Sequence, residues 1–296
     1  MRVVVLGASG FVGRNLIPIL VQGRVRTLAV VRSTSSSELI KDSGAEIKIL
    51  EKMGRETLSK VFENADSVIN LIGISSQSKN STFENINWHL VREIVEACKD
   101  SGVKKIITIS GLGVRENNFE SYFYSKWLGE QEIINSGLNY TIFRPSYIIG
   151  KNDEFTSKLV GDIKRGLLTI YGSGDYLMQP IFIEDVAKIF FKTVVERSKR
   201  KEIFDLVGSK VVTFNQYADI ISKTMLKKKL IKKMPKKKYV ELEKGILEAL
   251  SNNKTTSVEE FVIRVCNEIS RGADKILEKE FGFKLTPLEE AVGRMF

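Results

Sequence analysis

The sequence predicts an α/β chain: a doubly wound parallel sheet followed by a smaller, mostly helical C-terminal lobe. Three observations carry this. Short apolar runs alternate with amphipathic stretches through the first two-thirds of the 296 residues. Most of these runs are apolar at every position, as strands covered on both faces by helices must be. A glycine-rich turn follows the first run directly and opens the first amphipathic stretch.

Strands are expected at 2–6, 26–31, 46–50, 67–72, 104–109 and 140–144, with helices at 11–22, 36–43, 55–63, 82–100 and 119–135 between them. In 82–100, Phe83, Ile86, Leu90, Ile94, Val95 and Cys98 form one stripe at helical spacing. After residue 150 the alternation breaks. Helices are expected at 154–165, 183–197, 213–226, 238–250, 256–271 and 286–294, with one strand at 203–207. The implied organisation is a first domain over 1–150, to which 182–210 return, and a lobe made of 151–181 and 211–296.

Hydrophobic residues make up 43% and charged residues 28%, which is ordinary globular composition. No window approaches the apolar length of a membrane span. Met1-Arg-Val-Val-Val-Leu6 runs straight into the glycine turn, which leaves no room for a signal peptide and makes the expected location cytoplasmic. Two cysteines, Cys98 and Cys266, are too few for a disulfide framework or a cysteine zinc site. The single histidine, His89, reads as a surface or packing residue and excludes multi-histidine metal sites, so no metal is expected. Most of the net charge of +10 comes from the lysine-rich segment 223–238 (KTMLKKKLIKKMPKKK). Its plain reading is a solvated face. A sharper one is peripheral attachment to an anionic membrane surface. No aromatic-interleaved patch accompanies the lysines, so nucleic acid is the weakest of the three readings.

Gly7-Ala8-Ser9-Gly10-Phe11-Val12-Gly13 sits between the first strand and the first helix. Small residues there let the chain turn tightly and let a diphosphate approach backbone N–H groups at the positive end of the helix dipole. This is the dinucleotide-binding arrangement of a Rossmann-type sheet. The end of the second strand selects the cofactor, because a carboxylate there would hold a ribose 2′-hydroxyl and repel a 2′-phosphate. The chain has Val31-Arg32-Ser33-Thr34 instead, and the Arg32 fork suits a phosphate. NADP(H) is therefore expected over NAD(H), and the first domain is read as NADP(H)-binding.

Gly7-x-x-Gly10-x-x-Gly13, Asn85, Tyr122-Phe-Tyr-Ser-Lys126 and Arg144-Pro145-Ser146 match the order and spacing of the extended short-chain dehydrogenase/reductase superfamily. Val68-Ile-Asn-Leu-Ile-Gly73, Ser125-Lys126-x-x-x-Glu130 and Gln179-Pro-Ile-Phe-Ile-Glu-Asp185 resemble its atypical branch. That branch includes epimerase/dehydratase-like proteins and the accessory subunit of respiratory complex I. The likeness covers residues 1–210 and returns at Phe281-Gly-Phe-x-Leu-Thr-Pro-Leu-Glu-Glu-Ala291. It implies that Leu71, Ile72 and Gly73 line the cofactor, that Glu51 stands at the adenine, and that Ile109 and Ser110 lie beside the cofactor. It also implies that Pro145 and Tyr147 flank the nicotinamide and that Asn85 supports the active site.

Tyr122 and Lys126 lie four apart, on one helical face. A neighbouring ammonium favours the phenolate of a tyrosine, which is otherwise a poor base at neutral pH. Tyr122 would then exchange a proton with a substrate alcohol or carbonyl, and Lys126 would donate to the nicotinamide ribose. Tyr124 lies across the helix from Lys126 and is the weaker choice. Relatives that turn over place a serine or threonine just past the fifth strand; here that site holds Leu112 or Gly111, with Ser110 one to two residues early. The leading expectation is an NADP(H)-binding oxidoreductase-like protein acting at a carbonyl or alcohol carbon of a small-molecule substrate, alone or within an epimerase or dehydratase cycle. The rivals are a non-catalytic nucleotide-binding assembly subunit with a protein partner, and a redox sensor that reads NADPH occupancy.

Overall fold

The computed structural model describes residues 1–118, 121–170, 173–196, 201–226, 230–233 and 267–296. The first elements are β1 (Arg2–Leu6), α1 (Phe11–Gln22), β2 (Arg26–Val31), α2 (Thr34–Glu38), β3 (Glu46–Ile49), α3 (Arg55–Phe62) and β4 (Ser67–Asn70). Then come α4 (Leu90–Asp100), β5 (Lys105–Ile109), α5 (Ser121–Ile134), β6 (Asn139–Pro145), β7 (Ile148–Ile149), α6 (Glu154–Lys164), β8 (Leu167–Ile170), β9 (Leu177–Met178) and β10 (Ile181–Phe182). The rest are α7 (Ile183–Val195), β11 (Lys201–Leu206), β12 (Val212–Thr213), α8 (Phe214–Thr224), β13 (Leu230–Lys233), α9 (Ala273–Phe281) and α10 (Leu288–Gly293).

The chain forms two compact units: Met1–Ser75, Lys79–Arg144 and Val186–Phe204 make the first, and Ser76–Ser78, Pro145–Asp185 and Asp205–Phe296 the second. The first is built on a seven-stranded sheet in the order β11-β6-β5-β4-β1-β2-β3. Every pairing from β3 through β6 is parallel. The order reverses between β1 and β4, so the loops after these strands diverge and open a crevice at their carboxyl ends. Val3, Val4, Val5 and Leu6 are fully buried because helices cover both faces of the sheet. On one face Val4, Leu6, Val30, Val68 and Ile106 pack with Leu58, Phe62, Ile94 and Cys98. Burying each large side chain of this kind contributes roughly 1.5–3 kcal/mol.

Three elements depart from the sequence reading, and local chemistry accounts for the first two. The helix expected over 36–43 is instead the five-residue α2 and a 3₁₀ turn at Lys41–Ser43. Ser33 caps α2 by accepting from Ser36 N, and the serine run that follows is poor helix material. The strand expected to reach residue 72 stops at Asn70, whose Oδ1 accepts from Ile72 N and turns the chain. The single helix expected over 82–100 starts as a π-helical stretch, Glu84–His89, before α4.

Short strands that the sequence reading did not contain mark the second unit. Its described residues include three two-stranded sheets: β7 with β10, β9 with β12, and β8 with β13. Asp153 caps α6, accepting from Thr156 N at 2.7 Å and Gly150 N at 3.0 Å. Gln179 ties Gly208 O and Ser270 N together, and Asp185 accepts from Thr286 N and Oγ1 at 2.7 and 3.0 Å. The two recognisable C-terminal stretches of the sequence are thus bonded to each other. Helix α9, absent from the sequence reading, buries Ala273, Leu277 and Phe281 at four-residue spacing. The helix expected over 256–271 is not formed at 267–271. Residues 256–266, the helix expected at 238–250 and half of the lysine-rich segment 223–238 (227–229 and 234–238) lie outside the described residues.

Candidate functional site

Gly7 leaves β1 with φ +76°, a left-handed conformation open to glycine, and a methyl on it would stand 3.0 Å from the Leu71 carbonyl carbon. Gly10 caps α1 from extended backbone, and Arg14 N to Gly10 O is the bond that starts the helix. A Cβ on Gly13 would run into the Ala8 carbonyl, so glycine lets the helix seat on the turn. No acidic residue occupies the first turn of α1. The N–H groups of Phe11, Val12 and Gly13 lie at the positive end of an uncountered dipole, which suits an anion.

This turn opens on a cleft of about 580 Å³ at the carboxyl ends of β1 to β4. That is within the usual size of a small-molecule site. Gly7, Ser9 and Gly10 line it, with Arg32 and Ser36 after β2, Glu51 and Met53 after β3, and Leu71 to Ile74 after β4. Asn80, Ser81, Asn85, Ile86, His89, Leu90 and Glu93 complete the wall. Arg32 is exposed there and makes no ion pair among the described residues. Ser33 spends its hydroxyl on capping α2. Ala8 and Gly13 are buried beneath the turn, and Phe11 and Val12 are half-buried in the first turn of α1.

Lys126 is 8% exposed, with its ammonium against Gly73: a methyl there would lie 2.5 Å from Nζ and 3.5 Å from Asn87 Oδ1. Burial pushes the lysine down to about 8, opposed by the negative charge of Glu130 one turn later. Glu130 is itself bound through both oxygens to Arg144, at 3.0 and 2.6 Å. Tyr122 is buried, edge-on to Phe83 and Phe123. A Cβ on Gly111 would stand 3.3 Å from the Tyr122 hydroxyl. Of the two positions weighed from sequence, residue 111 therefore faces the phenol, and it carries no side chain. Ile109, Ser110 and Lys126 line a second, smaller cavity rather than the cleft. Pro145 and Tyr147 belong to the second unit, where Tyr147 stacks on Phe155 at 5.2 Å.

Asn85 is exposed at the cleft wall, while the buried amide of this segment is Asn87, two residues on. Asn87 accepts from Ile74 N at 3.2 Å and donates to Ile74 O and Ser125 Oγ, so it pins the loop after β4 to α5. The π-helical stretch brings its carbonyl against Gly129, which has no side chain to obstruct it. A signal for Asn87 existed: it lies four residues from buried Phe83 and four from buried Val91. His89, read as a surface or packing residue, stands in the cleft wall with its ring 4.5 Å from Trp88.

A reversing parallel sheet, a glycine turn and a cleft at its switch point define a dinucleotide-binding protein of Rossmann type. The model of a family described as NAD(P)H-binding matches residues 7–167, and the chain belongs to that family. It is 27% identical over 225 residues to NADH dehydrogenase (ubiquinone) 1 alpha subcomplex subunit 9, mitochondrial, of Arabidopsis thaliana, covering 73% of this chain and 56% of that one. The matched part spans between 50% and 62% of the length of such respiratory relatives. It is 24% identical over 213 residues to the uncharacterized sugar epimerase YhfK of Bacillus subtilis, covering 70% and 94% of the two chains. Among solved structures, the NADPH-dependent quinone oxidoreductase QOR2 of Escherichia coli, complexed with NADPH, superposes with TM-score 0.76 at 17% identity over 100% of both chains. These relatives agree with the short-chain dehydrogenase/reductase resemblance, and the structural likeness carries the fold.

Proposed function

We propose that this chain is an NADP(H)-binding oxidoreductase acting at a carbonyl or alcohol carbon, with the dinucleotide along the cleft. The observation that carries the reading is the exposed Arg32, without an ion pair among the described residues, on the same cleft as the glycine turn, with the Lys126 ammonium against Gly73 in its wall. When bound, a nicotinamide nucleotide supplies or accepts the hydride. The N–H groups at the start of α1 hold a diphosphate, and Arg32 pairs with a 2′-phosphate. Glu51 stands at the adenine end. Lys126 donates to ribose hydroxyls past the bare edge of Gly73, and Tyr122 passes a proton to or from the substrate oxygen. Asn87 fixes the loop carrying Gly73 and Ile74 relative to α5.

Calorimetric titration tests the cofactor. NADPH is expected to bind more tightly than NADH, and Arg32→Ala to lose about tenfold or more for NADPH with little change for NADH. Tighter NADH binding by the wild type would overturn the preference. A second reading, a nucleotide-binding assembly subunit without turnover, is favoured by the bare Gly111 beside Tyr122 and by the respiratory-complex relatives. Equal rates for wild type and Tyr122→Phe across a panel of quinones, aldehydes and ketones, with NADPH bound, would select it.

A further inference from the structure

The smaller cavity shares Ile72 with the cleft wall and has a volume of about 10 Å³. That is about the room one water molecule needs, provided polar groups surround it. Its polar lining is Asn70, Asn87, Thr108, Ser110, Lys126 and Glu130. Four of these are already engaged. Asn70 Oδ1 accepts from Ile72 N, Asn87 bridges Ile74 and Ser125, Thr108 Oγ1 donates to Asn70 O, and Glu130 holds Arg144. Two are not. Ser110 is 7% exposed, and its Oγ is buried with no hydrogen-bond partner among the described residues. Lys126 Nζ makes no hydrogen bond or ion pair among them either. A buried hydroxyl left unmatched costs its full desolvation, and a buried ammonium costs more. Both costs fall if one molecule reaches both atoms.

We propose that a single water binds in this cavity between Ser110 and Lys126, which makes Ser110 a positioning residue for the lysine ammonium. The water accepts from Nζ and donates to Ser110 Oγ, leaving the other ammonium hydrogens for the side facing Gly73. Ser110 thus supports the charged form of Lys126 through the water. The other groups around the ammonium are Asn87 from the π-helical stretch and Glu130, which Arg144 of β6 already pairs, while Tyr122 precedes the lysine by one turn of α5. The functional meaning rests on Lys126 being the ribose-facing cation; the water site itself does not.

Lysine-labelled NMR of the ligand-free full chain tests this, with the Lys126 signal identified by its loss in Lys126→Met. The wild-type signal is expected to titrate near pH 8. In Ser110→Ala, shown to be folded by circular dichroism, the midpoint is expected to fall by roughly half a unit or more, because the charged form loses a solvating partner. An unchanged midpoint in a folded variant overturns the proposal. A crystal structure of the wild type gives a second arm, expected to show one water within hydrogen-bonding distance of Ser110 Oγ and Lys126 Nζ. Well-ordered side chains with no water between them overturn it even if the variant does not fold. Neither arm uses nucleotide, so failure to bind NADPH would remove the proposed function and leave this result standing.

Discussion

Replacing Lys126 with methionine removes a charge that the first unit holds at a cost, and the size of that cost follows from the structure. Burial moves the lysine from the ordinary 10.5 to about 8. At 1.36 kcal/mol per pKa unit the buried ammonium destabilises the folded chain by about 3 kcal/mol below pH 8. Methionine fills similar space without a charge. The ligand-free Lys126→Met variant is therefore expected to be more stable than wild type at pH 7, by up to about 3 kcal/mol. The sign of the pH dependence is fixed by linkage. Between pH 8 and 10.5 the folded lysine has released its proton while the unfolded one keeps it. The unfolded state then binds more protons, wild-type stability rises with pH, and the advantage of the variant shrinks toward zero. Urea denaturation followed by tryptophan fluorescence measures this directly, since Trp88 and Trp127, the two tryptophans of the chain, both lie in the first unit. A variant no more stable than wild type at pH 7, or one whose advantage is the same at pH 7 and pH 10, would refute the reasoning.

Four further outcomes are expected. NADPH affinity of the wild type weakens as pH rises through about 8, where the free protein loses the Lys126 proton, by at most tenfold per pH unit, while Lys126→Met is flat; calorimetry between pH 7 and 9.5 checks this, and a flat wild type would count against it. Gly13→Ala drives a methyl into the Ala8 carbonyl, so it is expected to cost about 1–3 kcal/mol of stability and at least about tenfold in NADPH affinity. Gly293→Ala, whose methyl meets open space, is expected to leave both unchanged, with thermal melts with and without NADPH as the readout. Gly111→Ser is expected to raise NADPH-dependent carbonyl reduction by about tenfold or more in a steady-state assay.

The parallel sheet and the glycine turn were legible because they rest on local, repetitive signals: uniformly apolar runs for doubly covered strands, and glycines at positions where a Cβ strikes backbone. The second unit was harder because its strands are two to four residues long and lack a period that a window can register. Asn87 was missed for a different reason. The resemblance directed attention to Asn85, whereas the π-helical turn places position 87 at the loop after β4. Nor could the sequence reveal that Gly73 matters to Lys126, because that contact joins residues 53 positions apart through packing alone.

Two glycines border the Tyr122–Lys126 pair, and they are glycine for different reasons. Gly73 is constrained only through Lys126, since a Cβ there would stand 2.5 Å from Nζ, the far end of that side chain, and shift the ammonium. Gly111 is not. It does not adopt a left-handed backbone, and the atoms nearest to an added Cβ all belong to side chains: the Tyr122 hydroxyl at 3.3 Å, Val114 Cγ2 at 3.7 Å and Tyr122 Cε1 at 3.8 Å. A small side chain fits there with shifts of a few tenths of an ångström, so the fold does not require the missing hydroxyl. Its absence belongs to the chemistry: either a substrate group takes that space, or no substrate oxygen is oriented there. Gly111→Ser separates these cases because it restores a donor beside the phenol without touching the cofactor cleft. A serine variant that binds NADPH and stays as inactive as an inactive wild type would leave the Tyr122–Lys126 pair with the task of holding a nucleotide, and would decide for the assembly-subunit reading.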